Sequence, residues 1–123
     1  MMFWRAVFAL AAVFNLAVGV SLAAAPDMAY AQSAQGPAAD YFYARTAGLL
    51  IAVFGIGYAM VAIAPARNRS IVWLGLIGKA CMPVLAWSYV QAGLVAITAF
   101  YLSLGDLAFV ILFALFLWRT KPA

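Results

Sequence analysis

The sequence predicts an all-α integral membrane protein, with residues 1–123 forming one transmembrane domain built as a four-helix bundle. Three observations support this fold class: 70% of the residues are hydrophobic, only 8% are charged, and the apolar residues fall into four long runs. Soluble proteins carry about 25% charged residues. With so few charges to hydrate it, most of this protein's surface must be solvated by lipid.

The first apolar run, residues 3–25, predicts the first transmembrane helix and has two interpretations. Arg5 supplies a positive start, and Ala29-Tyr30-Ala31 before Gln32 has the small-x-small spacing of a signal-peptide cleavage site. We favour a retained helix, because a run of 23 residues is longer than the ~7–15 apolar residues of a signal peptide.

The polar stretch at residues 26–44 predicts an external loop, because it contains two prolines that interrupt a continuous helix. It carries Asp27 and Asp40, and Arg45 follows at the start of the next helix. We expect Arg45 to pair with one of these aspartates and anchor the loop. The alternative is that Arg45 binds an anionic lipid headgroup. An exposed pair of this kind contributes little stability.

Three further helices are predicted at residues 46–64, 71–90 and 97–118, with a turn or helical cap near 93–97. Small residues recur along the first of these three at spacings of four, three and four. Because residues three and four apart share one helix face, this stripe predicts a flat surface for a neighbouring helix. Its members are Gly48, Ala52, Gly55 and Ala59.

The basic residues at the helix ends predict the orientation in the membrane. Five of them fall on one side and only Arg45 falls on the other, and cytoplasmic loops are enriched in lysine and arginine. Both termini are therefore expected in the cytoplasm. The five are Arg5, Arg67, Arg69, Arg119 and Lys121.

Lys79 and Asp106 are ionisable residues inside predicted helices, where an unpaired charge costs about 2.5–3.5 kcal/mol. Counted at the α-helical rise, they lie about 13 Å and about 18 Å from the same membrane face. A lysine stem can cover the difference, so an ion pair is feasible. Such an ion pair is either a structural contact between helices or part of an ion relay or of a site for a polar ligand headgroup. Asn15 is expected to make an interhelical hydrogen bond.

Several function classes find no support in the sequence. The chain has no histidine and one cysteine, Cys81, so no nucleophile–base pair and no bound cofactor are expected. Cys81 is interpreted as a small packing residue. The net charge of +4 is spread among the helix ends rather than clustered, so no nucleic-acid partner is expected.

A set of short segments spread over most of the chain carries a resemblance to a known family. The segments are Phe14-Asn15-Leu16 through Gly19, Pro26, Tyr43 to Gly57, Pro65-Ala66-Arg67, Leu74-Gly75-Leu76-Ile77-Gly78-Lys79 and Gly105-Asp106-Leu107. In them the chain resembles the small bacterial DoxX-like membrane proteins. The resemblance implies a four-helix bundle with an accessory role beside a larger membrane system, and it assigns no catalytic residues.

The function expected from the sequence is that of a non-enzymatic accessory or structural subunit in the bacterial inner membrane. Its partners would be the lipid bilayer and other membrane subunits or further copies of itself. The alternative is a small transporter or ion-conducting homo-oligomer that uses Lys79 and Asp106. An enzyme acting on lipid or quinone is a third option, and it would need a cofactor that the sequence does not indicate.

Overall fold

The computed structural model describes residues 1–30 and 40–122, and the described parts of the chain are helical with no β-strand. Four of the helices are long and apolar enough to cross a membrane. In chain order the helices are α1 (Met2–Ala24), α2 (Pro26–Tyr30), α3 (Phe42–Ile63), α4 (Arg69–Gln91) and α5 (Ile97–Arg119).

The region expected to be a loop, residues 26–44, contains helix at both of its ends. The short α2 begins at Pro26, a residue that suits a first helical position because its missing N–H has no partner there. The long α3 begins at Phe42, four residues before the expected start, so Arg45 lies inside its first turns. Residues 31–39, which include the candidate cleavage site, lie outside the described residues.

Helices α1 and α3 pack closely because glycines lie where they touch. A Cβ atom added to Gly48 would lie 2.5 Å from the Ala23 backbone nitrogen and 2.6 Å from the Gly19 carbonyl oxygen. One added to Gly19 would collide with the backbone of Ala52. Only glycine leaves room for such backbone contact, which is how helices approach in lipid. The small-residue stripe of α3 therefore faces α1.

An aromatic core fills one end of the bundle. The Phe8 ring stacks on Phe113 with centroids 4.9 Å apart and meets Phe116 edge-on at 5.0 Å. Tyr58 of α3 contacts Phe113 at 5.2 Å. These four side chains are fully buried together with Val61 and Val72, so all four long helices contribute to one packed region.

Arginine side chains tie helix ends together around this core. Arg5 donates to the carbonyl of Ile63 at 2.6 Å, which joins the start of α1 to the end of α3. Arg69 donates to the carbonyls of Leu117 and Thr120, which joins the start of α4 to the end of α5. The chain's two ends therefore lie at the same end of the bundle, which we call the basic end.

The opposite half of the α4–α5 hairpin is loosely packed. None of residues 80–102 is buried, and we call this segment the open half. Gly93, in the turn between the two helices, has φ +73°, a left-handed conformation that glycine adopts without strain. Cys81, interpreted from sequence as a small packing residue, lies in the open half and is exposed, so burial within this chain does not support that interpretation.

Candidate functional site

Lys79 and Asp106 meet in the middle of the bundle. The Lys79 ammonium lies 2.7 Å from Oδ1 of Asp106, and Lys79 is only 6% exposed. Lys79 lies ten residues from the start of α4 and twelve from its end, about 15 Å and 18 Å at the α-helical rise. The pair is therefore far from either end of the helices.

Asn15 is the third member of this cluster. Its Oδ1 accepts a hydrogen bond from the Lys79 ammonium at 2.9 Å, while its Nδ2 donates to the Ile51 carbonyl at 3.1 Å. The residues Asn15, Ile51, Lys79 and Asp106 belong to α1, α3, α4 and α5 respectively. One chain of polar contacts thus crosses all four long helices. We call Asn15, Lys79 and Asp106 the polar cluster.

Aromatic rings surround the buried ammonium. The Lys79 nitrogen lies 5.1 Å from the ring centroids of Phe14 and Phe109 and 5.6 Å from that of Tyr58. A cation within about 6 Å of an aromatic face is attracted by the ring's negative face, most strongly where water is excluded. These rings and the Asp106 carboxylate together compensate the lost hydration of the lysine charge.

A cavity of about 670 Å³ opens beside the polar cluster. It lies between α1 and α3 on one side and the α4–α5 hairpin on the other, and it reaches into the open half as far as Tyr89 and Val95. Its walls are mainly aliphatic and aromatic, as in Val18, Leu50 and Leu85. Lys79 and Asp106 therefore face an apolar space in which Asp106 keeps 19% of its side chain exposed.

Tyr58 also lines this cavity. Tyr58 is 1% exposed, and the structure gives its hydroxyl no hydrogen-bond partner among the described residues. The hydroxyl lies close to Gly75 of α4, and Tyr58 and Gly75 both line the cavity. A free donor thus lies beside the polar cluster.

Arg45 does not form the expected ion pair with Asp27 or Asp40. Within residues 1–30 and 40–122 the single salt bridge is that of Lys79 with Asp106. Arg45 instead donates to the Ala23 carbonyl at the end of α1, where helix carbonyls have no partner within their own helix. Asp40 accepts a hydrogen bond from the Phe42 amide at 3.0 Å, and Asp27 lies in the first turn of α2.

The small-residue stripe has a packing role along its length. Gly48 and Gly55 are buried, and Cβ atoms added to them would press on α1. The backbone of Ala52 packs against Gly19, and Ala59 packs against the aromatic core. No cluster of metal-ligating side chains occurs in the parts of the chain that the structure describes.

The sequence indicates only part of this site. The interhelical hydrogen bond expected of Asn15 is present, but its contact with Lys79 is not predicted by the sequence pattern. A count from the start of α1 puts it about 20 Å deep, close to the depth of Asp106, and that count could have linked them. The sequence does not predict the place of Tyr58 in the site, because a tyrosine in an apolar run gives no distinct signal.

Comparison with protein-family models, with curated proteins and with solved structures finds no significant match for this chain. The resemblance to DoxX-like proteins therefore stays a prediction. The class that the fold and site define is a four-helix protein with membrane-length helices, a polar cluster at mid-depth and an apolar cavity beside it.

Proposed function

We propose that this chain is a multi-pass protein of the bacterial inner membrane with both termini in the cytoplasm, serving there as a non-enzymatic accessory subunit of a larger complex. The distribution of charge supports the orientation. Five basic residues lie at the basic end or next to it in sequence, against Arg45 alone at the other end. Cytoplasmic ends carry such an excess of arginine and lysine.

The accessory role rests on one observation, the absence of any buried residue in the open half. Membrane helices associate through close packing rather than through a hydrophobic driving force. Residues 80–102 receive little such packing from α1 and α3, so this surface is available to helices of another subunit. Its exposed side chains, such as Val84 and Leu102, are apolar and match a partner inside lipid.

The polar side chains support a structural rather than a catalytic use. Asn15, Lys79 and Asp106 bond mainly to one another, and a buried polar network holds helices in one arrangement. In this proposal the cluster fixes the bundle, and the open half recruits the partner.

Purification in mild detergent tests the accessory role. We expect a tagged chain to elute with at least one other membrane protein at constant stoichiometry, identified by mass spectrometry. The matched control is the same preparation from cells carrying the tag on an unrelated four-helix membrane protein. Elution of a clean monomer, with no protein enriched over the control, would refute the accessory role.

A second candidate is ion or proton transport by a homo-oligomer, favoured by the partial exposure of Asp106 to the cavity. Beyond the cluster the aromatic core of Phe8, Tyr58, Phe113 and Phe116 fills the basic end, so a path would have to run between protomers. Ion or proton flux into liposomes distinguishes transport from the accessory role. Transport predicts that this flux is lost in Asp106→Asn and kept in Asp27→Asn. Equal flux in both variants would exclude transport.

A further inference from the structure

We propose that the cavity binds an apolar molecule with a neutral carbonyl group, whose oxygen accepts hydrogen bonds from the Tyr58 hydroxyl and the Lys79 ammonium. This ligand site goes beyond the accessory role, and it is tested on the isolated protein. Its failure would therefore leave the partner complex untouched.

The size and walls of the cavity fit the apolar part of such a molecule. Small-molecule sites measure about 300–1,000 Å³ and combine apolar walls with a few placed polar groups. This cavity measures about 670 Å³, and side chains such as Phe54, Met82 and Leu85 line it. The polar groups lie together at one place on the cavity wall. A ligand would therefore bind there through one polar head group, and its apolar part would fill the rest of the cavity.

Two hydrogen-bond donors are free to hold the head. A lysine ammonium has three N–H groups, and among the described residues Asn15 and Asp106 accept two of them. Among residues 1–30 and 40–122 the Tyr58 hydroxyl has no hydrogen-bond partner, and the Tyr58 ring centroid lies 5.6 Å from the ammonium. A carbonyl oxygen has two lone pairs and can accept from both donors.

Charge and depth exclude an ionised head. Lys79 and Asp106 neutralise each other, so the site offers no net charge to offset an anion. The pair lies about 15 Å from the nearer end of α4, deeper than a hydrated phospholipid headgroup. A neutral carbonyl can reside at that depth. Its source is either an ester of a neutral lipid or a ring carbonyl on an alkyl tail.

Gly78 supplies independent support. Added Cβ atoms at Gly48, Gly55 and Gly75 would contact neighbouring elements, but one added at Gly78 meets nothing within 4 Å. Gly78 lines the cavity one helical turn before Met82, which lines it too. Internal packing therefore does not account for this mid-helix glycine, whereas a ligand that occupies the space would.

Native mass spectrometry of the detergent-purified protein tests the proposal with four probes. Methyl palmitate carries an ester carbonyl, decylubiquinone carries ring carbonyls, palmitate is an anion, and hexadecane has no head. We expect one or both carbonyl probes to bind at least fivefold more tightly than hexadecane and palmitate, as one or two hydrogen bonds imply. The tighter of the two carbonyl probes identifies the source.

Two variants separate the head contact from the apolar contact. Tyr58→Phe removes a hydroxyl that bonds to none of the residues the structure describes. The protein should therefore keep its stability while its affinity for the carbonyl probe falls about fivefold. Tyr89→Phe, elsewhere on the cavity wall, is the matched control and should bind normally. Gly78→Leu fills the cavity and should weaken binding of every probe.

Equal affinity for hexadecane and the carbonyl probes would overturn the proposal, as would tightest binding of palmitate. Unchanged carbonyl affinity in Tyr58→Phe would also overturn it. If Tyr58→Phe lowers the unfolding midpoint, the test rests on Gly78→Leu alone. Carbonyl-probe affinity that is unchanged in Gly78→Leu would then contradict the proposed site, because the leucine side chain fills the cavity.

Discussion

The Asn15 side-chain oxygen accepts a hydrogen bond from the ammonium of Lys79, 64 residues away along the chain. This contact joins the α1–α3 pair to the α4–α5 hairpin at mid-depth. The same ammonium donates a hydrogen bond to the carboxylate of Asp106 on α5. A single lysine thus links the two halves of the bundle where the open half begins.

Breaking the ion pair should destabilise the bundle strongly. Asp106→Asn leaves the buried Lys79 charge without its counter-charge, and losing one partner of a buried pair costs about 3–5 kcal/mol. We expect a lower unfolding midpoint in detergent, measured by loss of helical circular dichroism. Asp27→Asn, at an exposed position of α2, is the matched control and should leave the midpoint unchanged.

The double variant Lys79→Met/Asp106→Leu should recover most of that loss, because apolar side chains of similar volume can replace a buried pair at little cost. A double variant as unstable as Asp106→Asn alone would contradict the view that the unpaired charge causes the destabilisation.

Two glycines should respond oppositely to alanine. Gly19→Ala forces a Cβ against the backbone of α3, and overpacking costs about 1–3 kcal/mol. Gly78→Ala meets nothing and should gain about 0.5–1 kcal/mol, since glycine weakens a helix interior. Chemical unfolding in mixed micelles measures both. Equal effects at the two positions would show that α1 and α3 do not approach as described.

Arg69 should hold the last turn of α5. Arg69→Ala removes hydrogen bonds to Leu117 and to both oxygens of Thr120, so hydrogen exchange of the amides near 117–120 should speed up about tenfold. Arg67→Ala removes a nearby exposed charge and serves as the control. Equal exchange in the two variants would place the end of α5 elsewhere.

Cysteine labelling should reveal the orientation. In a Cys81→Ser background, Asp27→Cys should react with a membrane-impermeant maleimide added outside spheroplasts, because α2 lies at the end opposite the basic end. Ser70→Cys should react only after the membrane is opened. The reverse pattern would invert the proposed topology.

The membrane-length helices could be predicted from sequence, because four apolar runs leave few alternatives in lipid. Depth counting also identified Lys79 and Asp106 as candidate partners, since both lie far from the helix ends. How the helices are rotated could not be predicted. The stripe on α3 does not reveal that Gly19 of α1 faces it, nor that Tyr58 lines a cavity.

Arg45 shows why local patterns mislead at helix ends. The two nearby aspartates suggested an ion pair, but α3 begins at Phe42, and the unpaired carbonyls that end α1 lie within reach of the guanidinium. That proximity depends on the packing of α1 against α3, which involves contacts distant in sequence.

Photocrosslinking in intact membranes tests the accessory role most directly. A photoreactive amino acid is placed at Val84, which is 71% exposed in the open half, or at Val13 on α1, which is 65% exposed. The proposal predicts a discrete crosslink to one other membrane protein from Val84 and a weaker one or none from Val13. Crosslinks from neither position, or only between copies of this chain, would contradict it.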